Sequence, residues 1–237
     1  MNMRLITSRR SAPALKRMQL AALAFGTALV SAAGAEAAPR IETGFDKAFT
    51  TASEPARLHY KVAYEDAKGA HELEVWREGS RLKRTTDGVL ETMVERGKQG
   101  ELNITLRDER RRIVTQVTRN SLYQIGREVD WFSMAHGLAR PASSFKVLKL
   151  AASPLKDQGA DHEATKCRWY ELVQENRRSD VCWNAAVGLP TMIVAQPGNR
   201  IVWTLNTYDT KRIETSQFQL DSTGFVKVNA DQDILVD

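Results

Sequence analysis

The run Asp161-His162-Glu163 carries the residue types that hold a metal ion or move a proton. Neighbouring residues on a strand point to opposite faces, so all three reach one ion only from a loop. The polar stretch Ala151–Thr165, with Pro154 and Gly159, is such a loop. It reads as a solvated linker, with a metal site as the alternative. The other histidines are His59, His71 and His136. His136, in Met134-Ala135-His136-Gly137, reads as a partly buried structural residue of a helix. The chain has no G-x-S-x-G, H-E-x-x-H, P-loop or dinucleotide fingerprint. No catalytic residue, metal site or cofactor is therefore expected. An enzyme is the third reading, with Asp161-His162-Glu163 and His136 as its one cluster.

The remaining reactive side chains are two cysteines, Cys167 and Cys182, 15 positions apart. In an exported chain such a pair most often forms a disulfide. The alternative, two thiols on zinc, lacks further His or Cys at ligand spacing. The Arg107–Arg112 run (RDERRR) reads as a solvated turn offset by Asp108 and Glu109, with an anion-binding patch as the alternative.

Export is expected from the first residues. Arg4, Arg9, Arg10, Lys16 and Arg17 precede an apolar run, Met18–Val30. Ala35-Glu36-Ala37 then fits the small-residue rule for cleavage. Residues 1–37 are expected to be a Sec-type signal peptide and 38–237 a single β-rich domain in the periplasm. The apolar run is short of the ~20 residues a membrane span needs, so no stable membrane anchor is expected. The chain carries 34 Lys+Arg against 29 Asp+Glu, a net +5. Five of the basic residues and one acid, Glu36, lie in 1–37, which leaves about +1 beyond them. Overall basicity therefore gives no case for nucleic acid, and the aromatic residues form no stacking platform.

Hydrophobic periodicity supplies the elements. Phe45, Ala48 and Phe49 fit a short amphipathic helix, or else a flexible arm. From Arg57 the period is two. Leu58, Tyr60 and Val62 alternate with polar residues, and so do Leu73 and Val75, then Leu102, Ile104 and Leu106. Six short strands with tight turns, one of them Asp87-Gly88, predict an antiparallel meander over 57–118. Leu122, Ile125, Val129 and Phe132 fall at helical spacing, which predicts one helix or two short ones hinged at Gly126. A strand around Phe145–Leu148 follows. The cysteine hairpin is next, with Tyr170 and Leu172 facing away from Cys167 and Trp169. Three closing stretches, 201–208, 213–220 and 225–228, end the chain. The expected fold is mainly β with some helix (α+β). It is a strongly curved antiparallel sheet of roughly eleven strands, an unclosed half-barrel with a helical lid.

This element order is similar to that of the periplasmic lipoprotein-carrier superfamily. So are the runs Leu73–Gly79 and Trp183 to Leu189-Pro190. That group includes the lipoprotein localisation factors, mycobacterial lipid-binding lipoproteins and the N-terminal domain of the sigma-E regulatory protein. The Cys167/Cys182 hairpin is not a general mark of the group. The resemblance implies a half-barrel whose concave face is plugged by helices, and transfer of acyl chains without covalent chemistry. The first expectation is a carrier or sensor of a lipid, acyl chain or lipoprotein. Leu58, Tyr60, Val62, Leu73, Val75, Leu102, Ile104 and Leu106 would line the concave face. Leu122, Ile125, Val129 and Phe132 would form a movable lid. The second expectation is a regulatory module that binds an envelope protein and no small molecule.

Overall fold

The computed structural model describes residues 40–124, 129–155, 167–175 and 177–234. These belong to the unit Ala38–Asp237. The strands are β1 (Ile41–Thr43), β2 (Arg57–Asp66), β3 (Gly69–Glu78), β4 (Arg81–Thr86), β5 (Leu90–Arg96), β6 (Leu102–Asp108) and β7 (Ile113–Thr118). They continue as β8 (Phe145–Lys149), β9 (Arg168–Gln174), β10 (Arg177–Asn184), β11 (Leu189–Gln196), β12 (Arg200–Asp209) and β13 (Val226–Asn229). The helices are α1 (Phe45–Ala48), α2 (Arg119–Gln124), α3 (Trp131–His136) and α4 (Ala230–Ile234).

All the strands form one curved, unclosed sheet of 13, ordered β1-β8-β9-β10-β11-β12-β2-β3-β4-β5-β6-β7-β13. The sheet is mainly β as expected, with more strands than the roughly eleven anticipated. β1 is an addition, paired antiparallel with β8. The expected strand over 213–220 is instead a coil holding a 3-10 turn, Thr215–Phe218. β13 pairs parallel with β7, the one departure from an antiparallel sheet among the described pairs.

Two meanders, β2–β7 and β8–β12, join side by side where β12 pairs with β2. Local sequence sets each hairpin. Asp87 and Gly88 both take positive φ, 52° and 68°, which matches the twist of the flanking β4 and β5. The joining order forces two long connections. β7 lies near one end of the sheet and β8 near the other, so the chain between them must cross the sheet. It does so on one face, where Leu122, Val129, Trp131, Met134 and Ala135 pack onto the main core. β12 lies mid-sheet and β13 at the edge, so Thr210–Phe225 must cross as well. This strap uses the opposite face, where Ile213, Phe218 and Leu220 pack on Met93 and Trp76. The faces are told apart within β5, since Val94 belongs to the main core and its neighbour Met93 to the strap cluster.

A second cluster on the inner face is aromatic. Phe45, Phe49, Tyr170 and Trp183 lie under α1 and the later strands. Trp183 is buried and its Nε1 donates to Thr50 O at 3.0 Å. Trp169 is half-buried and sits opposite Cys182 in the register. Cys167 and Cys182 form the expected disulfide, with Cα atoms 5.4 Å apart. Tyr170 and Leu172 face the core, as the alternation predicts. Among the described residues no helix is long and apolar enough to cross a membrane.

Candidate functional site

The residues expected to line the concave face form the main core. Leu58, Tyr60, Val62, Leu73, Val75, Leu102 and Ile104 are buried in a single cluster, at 0–4% exposure. Leu106, Leu122 and Val129 are partly buried against it. Phe132 packs into the aromatic cluster, its ring stacked 6.0 Å from that of Trp183. Ile125, Gly126 and the Asp161-His162-Glu163 run lie outside the described residues. Among the described residues no group of three metal-ligating side chains comes together.

Where α3 meets the sheet there is a cavity of about 470 Å³, within the range of small-molecule pockets. It is bordered by Glu54, Pro55, Arg77, Arg96, Trp131, Phe132 and His136. Of the expected ligand-binding residues, Phe132 borders it. The charged members escape the periodicity reading because attention falls on apolar positions. Arg77 follows Leu73 and Val75 at the next inward position of β3 and is buried, and Arg96 follows Val94 on the same side of β5, where the strand end leaves it exposed. A basic residue continuing an apolar alternation is the signal that finds both.

Arg77 is 3% exposed. A guanidinium at that depth needs partners, since an uncompensated buried charge is very unfavourable. Its Nη1 lies 3.0 Å from Glu54 Oε2. That contact is a charge contact, because its angle leaves Glu54 Oε2 without a hydrogen bond. Among the described residues Arg77 Nη2 also has no partner. The half-buried Glu54 carboxyl is held above its ordinary value by burial, against the opposing pull of Arg77.

His136 closes the other side. Its Nδ1 is 2.7 Å from Gly188 O, so the proton sits on Nδ1 and donates to that carbonyl. Arg77 Nη1 lies against the same ring edge, 3.0 Å from Nδ1 and 3.3 Å from Nε2, and with Nδ1 protonated only Nε2 can accept from it. Burial, and next the Arg77 charge, push His136 down to about 4, so it is neutral near pH 7. With both nitrogens engaged and so low a basicity, it is poorly suited to take a proton from a substrate.

The positioning of α3 explains why His136 stands there. Asp130 caps its start by accepting from Ser133 N at 2.8 Å. Gly137 ends it at φ 71°, a left-handed C-terminal cap. A Cβ on Gly137 would lie 2.2 Å from the Trp203 ring, so only glycine fits. Gly188, at φ 65°, brings its backbone against both Glu54 and His136, where a Cβ would lie 3.0 Å from Glu54 Oε2. Tyr60, pushed up to about 12 by burial, stays protonated and donates to Ala135 O at 3.2 Å.

A second cavity, also about 470 Å³, lies on the opposite face beneath the strap. Met93, Thr105, Phe218, Leu220 and Lys227 are among its borders. The Arg-rich turn serves this face. Phe225 is held between Arg107 and Arg112, at 4.6 and 4.0 Å from its ring centroid. Arg107 also pairs with Glu91 at 2.7 Å. The run is the exposed turn expected, offset by Asp108 and Glu109, and two of its arginines also clasp the strap, because Phe225 returns across it to reach β13.

No family profile matches this chain, and no curated protein does. Among solved structures, the chain is similar to one titled "Crystal structure of MucB", at 11% identity and a TM-score of 0.39. The match covers 76% of this chain and 63% of that one, so the chain spans less than two thirds of that structure's length. MucB is a distant structural neighbour, and no part of the functional reading below rests on it.

Proposed function

We propose that this chain is an exported, non-catalytic binding protein. It takes an apolar ligand (a lipid, an acyl chain or the acyl part of a lipoprotein) on the inner face of the sheet beneath α2 and α3. The observation that carries this reading is the cavity of about 470 Å³ at the α3 seam, bordered by Trp131, Phe132 and Pro55 beside Glu54, Arg77, Arg96 and His136, with Trp131 also packed on the main core. The core beneath is already filled by its own side chains, so a longer ligand enters by shifting the cover. That cover is suited to it. α2 and α3 have six residues each, well below the length at which a helix is stable by itself. Leu122, Val129, Trp131 and Met134 hold them to the core while only partly buried. The cysteine pair supports an oxidising compartment, consistent with the signal-like residues 1–37.

The neutral apolar fluorophore N-phenyl-1-naphthylamine tests the reading. Saturable one-to-one binding that Trp131→Ala weakens several-fold is expected. No enhancement, or one that never saturates, contradicts it.

A second reading, an envelope protein-interaction module without a small ligand, is favoured by the two open sheet edges. β1 and β13 present Ile41 and Val226, 60% and 64% exposed, beside unpaired strand backbone. Crosslinking in intact cells that returns one stoichiometric protein partner, with no fluorophore binding, selects it.

A further inference from the structure

We propose that the Arg77–Arg96 end of the α3 cavity is a receptor for a singly charged oxyanion, a carboxylate or phosphate ester, that forms the head of the amphiphile bound there. This rests on the reading that an apolar ligand occupies the inner face, and it adds what that ligand carries at one end.

Charge balance is the first ground. Two guanidiniums, Arg77 and Arg96, border the cavity together with one carboxylate, Glu54, and a neutral imidazole, His136. One positive charge is left over, and a single negative charge cancels it. Hydrogen-bond accounting is the second. Arg77 Nη1 donates to His136 and makes a charge contact with Glu54 Oε2, whereas Nη2, buried with it, has no acceptor among the described residues. A buried donor to a charged group left unmade is unfavourable, and an oxyanion supplies the missing acceptor. Arg96 is the third. Its guanidinium lies over Trp131, 4.5 Å from the ring centroid, at an exposed position of β5. A guanidinium over an aromatic ring keeps N–H donors that can meet a planar oxyanion. The chain that follows the head would meet Trp131 and Phe132.

Titration calorimetry of the purified full-length protein with decanoate, decan-1-ol and acetate tests the proposal. Decanoate is expected to bind about tenfold or more tightly than decan-1-ol, the difference a charged hydrogen bond provides. Arg77→Gln is expected to abolish that difference. Arg96→Gln, at an exposed position that tolerates change, is expected to narrow the decanoate-to-decan-1-ol ratio, and so holds the test open if Arg77→Gln fails to fold. Equal affinity for the two decyl probes in the unmutated protein overturns the receptor and leaves the apolar reading intact. A difference that survives Arg96→Gln unchanged overturns it too. Binding of neither decyl probe overturns the apolar reading itself. Acetate binding as tightly as decanoate keeps the oxyanion receptor but assigns it to a free small anion and not to an amphiphile.

Discussion

At the scale of single residues, the inward-facing charges decide what the site can do. His136 ordinarily titrates near 6.5 and is pushed down to about 4 in the fold, by burial first and by Arg77 second. Between those values the unfolded chain holds a proton that the folded chain does not. Its contribution is therefore full above pH 6.5, is lost as pH falls toward 4, and levels off below that. The loss over that window is on the order of 3 kcal/mol. Glu54, raised by burial, acts with the opposite sign, its part being lost as pH rises above about 4.5. Chemical denaturation across pH 4–7 is expected to show His136→Gln with a markedly flatter profile than the unmutated protein; identical slopes would contradict the assignment. Gly137→Ala is expected to destabilise by roughly 2–4 kcal/mol, from left-handed strain plus collision with Trp203. A melting temperature within a degree of the original would contradict it. The apolar half of this picture is legible in the sequence, because Leu58, Tyr60, Val62, Leu73 and Val75 alternate cleanly. The charged half is less so: Arg77 is marked only by continuing the alternation of Leu73 and Val75, and Glu54 comes from a segment with no period.

At the scale of elements, short pieces are held by specific contacts more than by propensity. The spacing of Leu122, Ile125, Val129 and Phe132 predicts helix, and the described residues hold two short helices, α2 and α3, with the expected hinge at Gly126 outside them. Asp130 caps the second helix, its own backbone being extended at φ −123° and ψ 158°. The strap is the element the sequence mistakes. Ile213–Leu220 alternates well enough for a strand, but β12 already pairs with β2, so no free edge lies beside it. It crosses the sheet instead and is clasped by arginines. Phe225→Ala is expected to cost about 1 kcal/mol and to speed hydrogen exchange in β13 while sparing β2–β5. Uniform exchange changes throughout the sheet would contradict a local clasp. The disulfide spans 15 positions, so Cys167→Ser is expected to remove about 3 kcal/mol by the loop-entropy estimate. It is on the outer side of β10, away from the α3 cavity. Fluorophore binding below the lowered melting temperature is therefore expected to be unchanged, and its loss in a folded variant would move the site.

At the scale of the whole molecule, topology produces the function proposed. A sheet whose first long meander ends near one edge, and whose second begins at the other, must send chain across its own face. That crossing segment carries α2 and α3, partly buried against an apolar surface, and in the function proposed it covers the binding face. Curvature, an open sheet and a meander are readable from strand period and turn residues. The order of the strands is not, since the β12·β2 and β13·β7 pairs join segments more than 100 residues apart. The most direct test of the central claim is native mass spectrometry of the protein purified from its own cells without detergent. The account predicts a fraction of chains carrying one amphiphile with an acidic head, lost in Trp131→Ala and reduced in Arg96→Gln. Bare chains only, which also take up no decanoate or decan-1-ol on incubation, would contradict it.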